Sequence, residues 1–177
     1  MDPTDGKVNL AAYTPTETGR PIRLGGSVLG PRRHICAFFN NHDDEYRVLL
    51  PFIKDGLECG EKVCHTVDPD RCDDHLRRLA AAGIDISATR ECGQFELRTW
   101  TDTHLRDGPL RSKLALFEEI VKDAKRQGFP LIRFVTHMEW ALENMPGVND
   151  LLEYEARAND FWLCRTGPST QSYAPMI

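Results

Sequence analysis

Few residues of this chain have the types and spacing to hold or transform a ligand. In the last predicted helix, taking about 100° per residue, Val148, Leu151 and Leu152 set an apolar face, with Glu155 and Asn159 near its centre and Glu153 pointing away. An interior carboxylate is costly unless it is paired or hydrogen-bonded, so Glu155 requires a partner. Arg133 is one candidate, and Arg157 is the poorer one because its direction is nearly opposite. Such a glutamate either ties the helix to a sheet through an ion pair or serves as a polar anchor or proton-sensing group in a pocket. Neither use needs catalysis.

A second group, His137, Glu139 and Trp140, follows a predicted strand. There Trp140 would wall an apolar pocket while His137 or Glu139 orients its occupant, since small-ligand sites are mostly apolar with a few fixed polar groups. The plainer alternative makes Trp140 core and the other two solvated. The turn NNHDDE places Asn41 and His42 ahead of a helix whose first turn carries Tyr46. It has no Gly, no Lys and three carboxylates, so it would repel a triphosphate and suits a neutral or cationic ligand, or none. GGSVLG spaces two glycines like a phosphate loop but lacks the Lys-Ser/Thr pair that meets phosphate and magnesium. His34 reads as a structural histidine at the far end of its strand. His34 and Cys36 share one strand face, and His137 with Glu139 offers further ligands, yet no HExxH and no CxxC occurs. No metal or other cofactor is expected. The hydrolase elbow GxSxG is also absent, and no catalytic residue is assigned.

The elements that must position these residues alternate between strand and helix. HICAFF is apolar on both faces after His34 and predicts a covered strand. Tyr46, Leu49, Leu50, Ile53 and Leu57 fall at i, i+3, i+4, i+7 and i+11, a helical stripe that Gly60 ends. KVCHTVD predicts a second buried strand, and CDDHLRRLAAAG a helix stopped at Gly83. QFELRTW alternates by twos as a third strand, and a long helix follows with Leu110, Leu114, Phe117, Val121 and Ala124 on one stripe. LIRFVTH is a fourth strand; a short helical piece through EWALEN, a helix from about residue 148 to 159 and a fifth strand at FWLC complete the series. Alternation of this kind predicts a three-layer α/β fold, a mostly parallel sheet with helices on both faces. Ligands bind such sheets at the carboxyl ends of the strands. That position argument picks out Asn40, Asn41, His42, Asp68, Trp100, Asp102, His137, Glu139 and Trp140.

The chain has 177 residues, enough for one domain with a sizeable core. Residues 1–31, rich in Pro, Thr, Gly and charge, predict a flexible arm, 32–165 the α/β domain and 166–177 an irregular tail. A net charge of −5 without a dense basic block argues against direct nucleic-acid binding. Neither a signal peptide nor a membrane-spanning run is evident, so the expected location is the cytoplasm. The six scattered cysteines then read as reduced thiols.

The run HICAFFNNHDDEYRVLLPFIKDGLECGEKVCHTVDPD, followed by GQFELRTW, HMEWAL, PGVNDLLEYEARAN and a late cysteine, resembles the MEDS sensory domain of methanogens, methylotrophs and a dichloromethane-responsive regulator. The resemblance runs over roughly residues 32–164 and rests on the order of the motifs. It implies a divergent RecA-like core without its nucleotide loop, sensing small organic molecules such as hydrocarbon derivatives. Family members are commonly joined to DNA-binding or histidine-kinase modules; none is evident here. After Cys164 the family usually continues with a tyrosine-containing strand and a helix, whereas RTGPSTQSYAPMI trails off, so the resemblance implies a C-terminally shortened sheet.

Together these readings predict a non-enzymatic sensory domain in signal transduction and transcription regulation. It would bind a small, largely apolar organic ligand through Asn41, His42, Tyr46, Asp68, Trp100, His137, Glu139, Trp140 and Glu155. Its output would pass to a separate regulatory protein or a second copy of the chain, with no membrane involved. The alternatives are an interaction module that binds no small molecule and a metal-dependent enzyme.

Overall fold

The computed structural model describes residues 21–30, 34–103, 110–139, 151–163 and 173–174. Its centre is a parallel sheet of three strands, β3 (Lys62–Val67), β4 (Phe95–Thr99) and β5 (Ile132–Thr136), extended by the two-residue β6 (Tyr173–Ala174) in the order β4-β3-β5-β6. Each connection between β3, β4 and β5 passes through helix, as parallel strands require. Helices α1 (His42–Glu58), α2 (Cys72–Ala81) and α3 (Ile86–Glu91) lie between or before the first strands. The short α4 (Trp100–Thr103), then α5 (Leu110–Arg126) and α6 (Leu151–Leu163), follow.

Two apolar clusters, one on each face of the sheet, make the predicted three layers. Successive side chains of a strand face opposite ways, so Val63 of β3 joins Leu49, Phe52 and Ile53 of α1 and Leu79 of α2. Its neighbour Cys64 joins Phe117, Val121 and Ala124 of α5 and Tyr154 and Ala158 of α6. Every residue of β3 and β5 is buried, whereas β4, at the sheet's edge, is mostly half-buried. The stripe of α1 turns inward as its spacing predicts, with Tyr46, Leu49 and Ile53 buried and Leu50 and Leu57 at its margin. Gly60, at φ +74°, ends the connection as a residue without Cβ readily can.

Four stretches depart from the sequence reading. HICAFF forms no strand: Phe38 is 94 % exposed and the segment runs beside α6 through His34 and Cys36. FWLC was expected to be extended, but Phe161–Leu163 complete α6, and Cys164 lies outside the described residues. Within the expected arm, the described part is a hairpin, β1 (Arg23–Leu24) with β2 (Ser27–Val28), that anchors Ile22 in the core at 2 % exposure. The paired glycines of GGSVLG make its turn, Gly25 and Gly26 both having positive φ, which is what a two-residue hairpin needs. Near the other end, Tyr173 and Ala174 pair with Ile132 and Arg133. The helical piece through EWALEN falls outside the described residues.

Among the described residues Arg133 is the most buried cation, at 1 % exposure. Its guanidinium bridges Glu61 and Asp55, donates to the Phe52 carbonyl at 2.6 Å and stacks over the Phe52 ring at 4.6 Å. It passes so near α1 that a Cβ on Gly56 would stand 2.6 Å from its Nε. Arg133 is therefore not the partner of Glu155.

Candidate functional site

Chain geometry at the carboxyl end of β3 and β5 gathers ionisable side chains on the α1–α2 face. His65 of β3 lies one residue from Cys64 and so faces α1 and α2, while His137 follows the end of β5. His75 comes from α2, one turn before Leu79 on the same buried stripe. Glu45 and Tyr46 come from the first turn of α1, whose start is fixed by Asn41 accepting from the Asp44 N–H at 2.9 Å. Asp68 caps the 3-10 turn after β3 by accepting from the Asp70 N–H at 2.9 Å, and this turn carries Arg71.

These groups form two connected chains. In the first, the Tyr46 hydroxyl is 2.6 Å from His75 Nδ1, and His75 Nε2 is 2.7 Å from His65 Nδ1. A neutral imidazole donates from one nitrogen and accepts at the other, so this chain has two directions of donation. His65 Nε2 is its open end, buried and without a hydrogen-bond partner among the described residues. In the second, Arg71 reaches Glu45 at 3.0 Å and Glu139 with its other terminal nitrogen. His137 Nε2 lies 3.0 Å from Glu45 Oε1 but outside hydrogen-bond alignment, and one Glu139 oxygen is likewise buried without a partner. Trp100, buried at the end of β4, donates its indole N–H to the His137 carbonyl at 2.8 Å.

The imidazoles of the row are neutral at pH 7. Burial lowers His65 far below the ordinary histidine range, and the neighbouring His75 and His137 lower it further. His137 is lowered in the same way, by burial first and then by His75 and Arg71. His75 is brought down to about 4 by burial, with Arg71 adding to the effect. Burial also raises Glu139 and Tyr46. Proton exchange among neutral donors and acceptors, or reception of a ligand's polar atom, is within the chemistry of such a row.

Of the residues singled out from sequence, the structure brings His42, Tyr46, His137 and Glu139 to this cluster, and Trp100 to its edge. Asn41 and Asp68 instead shape the two turns that flank it. Glu155 is elsewhere, beside His34 at 3.1 Å. Trp140 lies outside the described residues. Sequence reasoning missed His65, His75, Glu45 and Arg71. Replacing Asn41 by Ala should therefore cost about 1 kcal/mol of stability by uncapping α1, read by urea denaturation. A ligand contact at Asn41 would instead lower affinity with stability unchanged.

The family model described as the methanogen/methylotroph, DcmR sensory domain matches residues 33–166. The chain belongs to the MEDS family. In this MEDS domain the match begins one residue before His34 and takes in the whole histidine row, α5 and α6. No curated protein matches the chain closely enough to lend it a function. Membership in a sensory family gives the MEDS domain a sensory or signalling role, and no described helix is long and apolar enough to cross a membrane.

Proposed function

We propose that this MEDS domain is a non-enzymatic sensor that takes a small, largely apolar organic molecule at the carboxyl end of its sheet. The observation carrying this reading is the set of buried polar atoms that have no hydrogen-bond partner among the described residues there: His65 Nε2, His137 Nε2 and one oxygen of Glu139. Buried polar atoms are nearly always satisfied, and an incoming hydroxyl, amine or polarised C–H would satisfy these. Neutral imidazoles suit an uncharged occupant, and they can donate or accept as the occupant requires. Tyr46 supplies apolar wall and the Trp100 indole closes the edge at the His137 carbonyl, while His42, His137 and Glu139 orient the molecule. Asn41 and Asp68 act at one remove, through the turns they cap.

Occupation favours one direction of donation along Tyr46, His75 and His65, and this biases the packing of α2 on the sheet. The change is read by a separate regulatory protein or a second copy of the domain, because a ligand shifts an equilibrium only by its difference in affinity for two states. The depression between α5 and α6, lined by Leu114, Ala115, Glu118 and Arg157, shares no residue with the row and has no part in this reading.

The test is nuclear magnetic resonance of ¹⁵N-labelled imidazoles during titration with dichloromethane, methanol and acetone. A saturable change in the His65 and His137 ring signals with at least one probe is expected, weakened in Glu139→Gln. Ring signals indifferent to all three probes in the folded protein would overturn the reading. Co-purification with another polypeptide alone would then favour the interaction module.

A further inference from the structure

A second cluster, sharing no residue with the histidine row, joins the segment after residue 33 to α6. Glu155 and Asn159, one turn apart on α6, both reach His34. Asn159 Oδ1 stands 2.7 Å from His34 Nδ1, and Glu155 Oε2 stands 3.1 Å from His34 Nε2. The Cys36 sulfur is 4.0 Å from the same carboxylate oxygen. One ligand atom from each of His34, Cys36 and Glu155 lies within 4.8 Å of the other two. The remaining carboxylate oxygen, Oε1, is buried and makes no hydrogen bond among the described residues.

Accepting at Asn159 Oδ1 commits the proton of His34 to Nδ1. In the neutral ring the lone pair on Nε2 then faces the Glu155 carboxylate 3.1 Å away, a contact that needs a cation, either a second proton on the imidazole or a metal ion between the two atoms. No lysine or arginine among the described residues supplies it; Arg157 of the same helix is engaged with Glu153 at 2.7 Å. The contrast with His42, Glu45 and Glu139 is instructive. Their donor atoms are equally close, but the Arg71 guanidinium already bridges the two carboxylates.

We propose that His34 Nε2, Cys36 Sγ and the Glu155 carboxylate form a three-ligand site for a zinc-class divalent cation, with Asn159 orienting the imidazole. Imidazole, thiolate and carboxylate together are the donor set of such ions. Metal–ligand bonds of about 2.0–2.3 Å put tetrahedral ligand atoms about 3.3–3.8 Å apart, close to the separations already present. Binding converts the Cys36 thiol to thiolate and releases its proton to solvent. Three protein ligands leave a fourth position open to water or to an exogenous donor atom. An outer partner such as Asn159, which fixes tautomer and ring angle, is the usual companion of a ligating histidine. The site stands independently of the histidine row.

The experiment strips the full-length protein with a chelator and restores Zn²⁺ in competition with a chromophoric chelator, then Co²⁺ with visible and near-ultraviolet spectra. One equivalent is expected to bind, with tetrahedral d–d bands and a thiolate-to-cobalt charge-transfer band. Cys36→Ser should abolish that band, Glu155→Gln should weaken binding, and Asn159→Ala should weaken it about 10- to 100-fold, with circular dichroism unchanged. Binding no tighter than in Cys36→Ser, or a charge-transfer band that survives that substitution, overturns the proposal. Imidazole signals of His65 and His137 serve as a separate readout, so failure here is distinct from failure of the sensor reading.

Discussion

Lowering the pH from 7 to 5 is expected to cost the folded domain about 2 kcal/mol at His75 alone, because its pKa falls from about 6.5 in the unfolded chain to about 4 when folded. The depressed value means that below about pH 6.5 the unfolded chain takes up a proton the folded one does not. The contribution is therefore fully present above the unfolded value and is lost as the pH falls towards the folded one. His65 and His137 are depressed in the same direction and add to the loss. Carboxylates at Glu45, Glu139 and Asp74 face the row, and only Asp74 acts on His75 directly, where it tempers the shift. His34 works the other way: burial lowers its pKa, but hydrogen bonds to Glu155 and Asn159 outweigh this and raise it. Its contribution is lost as the pH rises, and as one group against three it does not cancel them. Urea midpoints across this range should fall steeply, and less so in His75→Gln once its lower starting stability is allowed for. A flat profile in the unsubstituted protein would contradict the buried, neutral row.

The second large effect belongs to Arg133. Replacing it by Met should destabilise the domain by about 3–5 kcal/mol, since it removes the guanidinium facing the buried Glu61. Adding Glu61→Leu should recover most of this loss, because an apolar pair of similar volume often equals a buried ion pair. Gly56→Ala crowds the same guanidinium and should cost about 1–3 kcal/mol. That penalty should shrink in the Arg133→Met background, where the flexible thioether gives way. Additive losses would mean that the alanine clashes elsewhere.

Much of this architecture was legible because it rests on periodicity. The stripes of α1 and α5 and the burial of β3 and β5 follow from spacing that only one element type satisfies. HICAFF and FWLC were misread for a common reason. A short apolar run records a demand for burial and is compatible with either strand or helix, and Phe38 shows that even the demand can go unmet within the described residues. The need of Glu155 for a partner was readable from helical phase, but phase gives a direction and not a neighbour; His34 is 121 positions away, and nothing local links the two. The same reasoning, applied to KVCHTVD, would have found His65, a titratable residue inside a strand buried on both faces. His75 carried a weaker signal, its place one turn from Leu79.

Alternation along the central strands gives the histidine row a further consequence. Sliding β3 by one residue against its neighbours would turn His65 into the apolar layer beneath α5 and put Cys64 opposite Tyr46 and His75, and a slip in β5 would do the same to His137. For the aliphatic residues of these strands such a slip exchanges one apolar neighbour for another and is weakly opposed. For the imidazoles it breaks the hydrogen bonds of the row and carries the rings into the mainly apolar layer around Phe117, Val121 and Ala124. The row thus specifies the pairing register of the sheet.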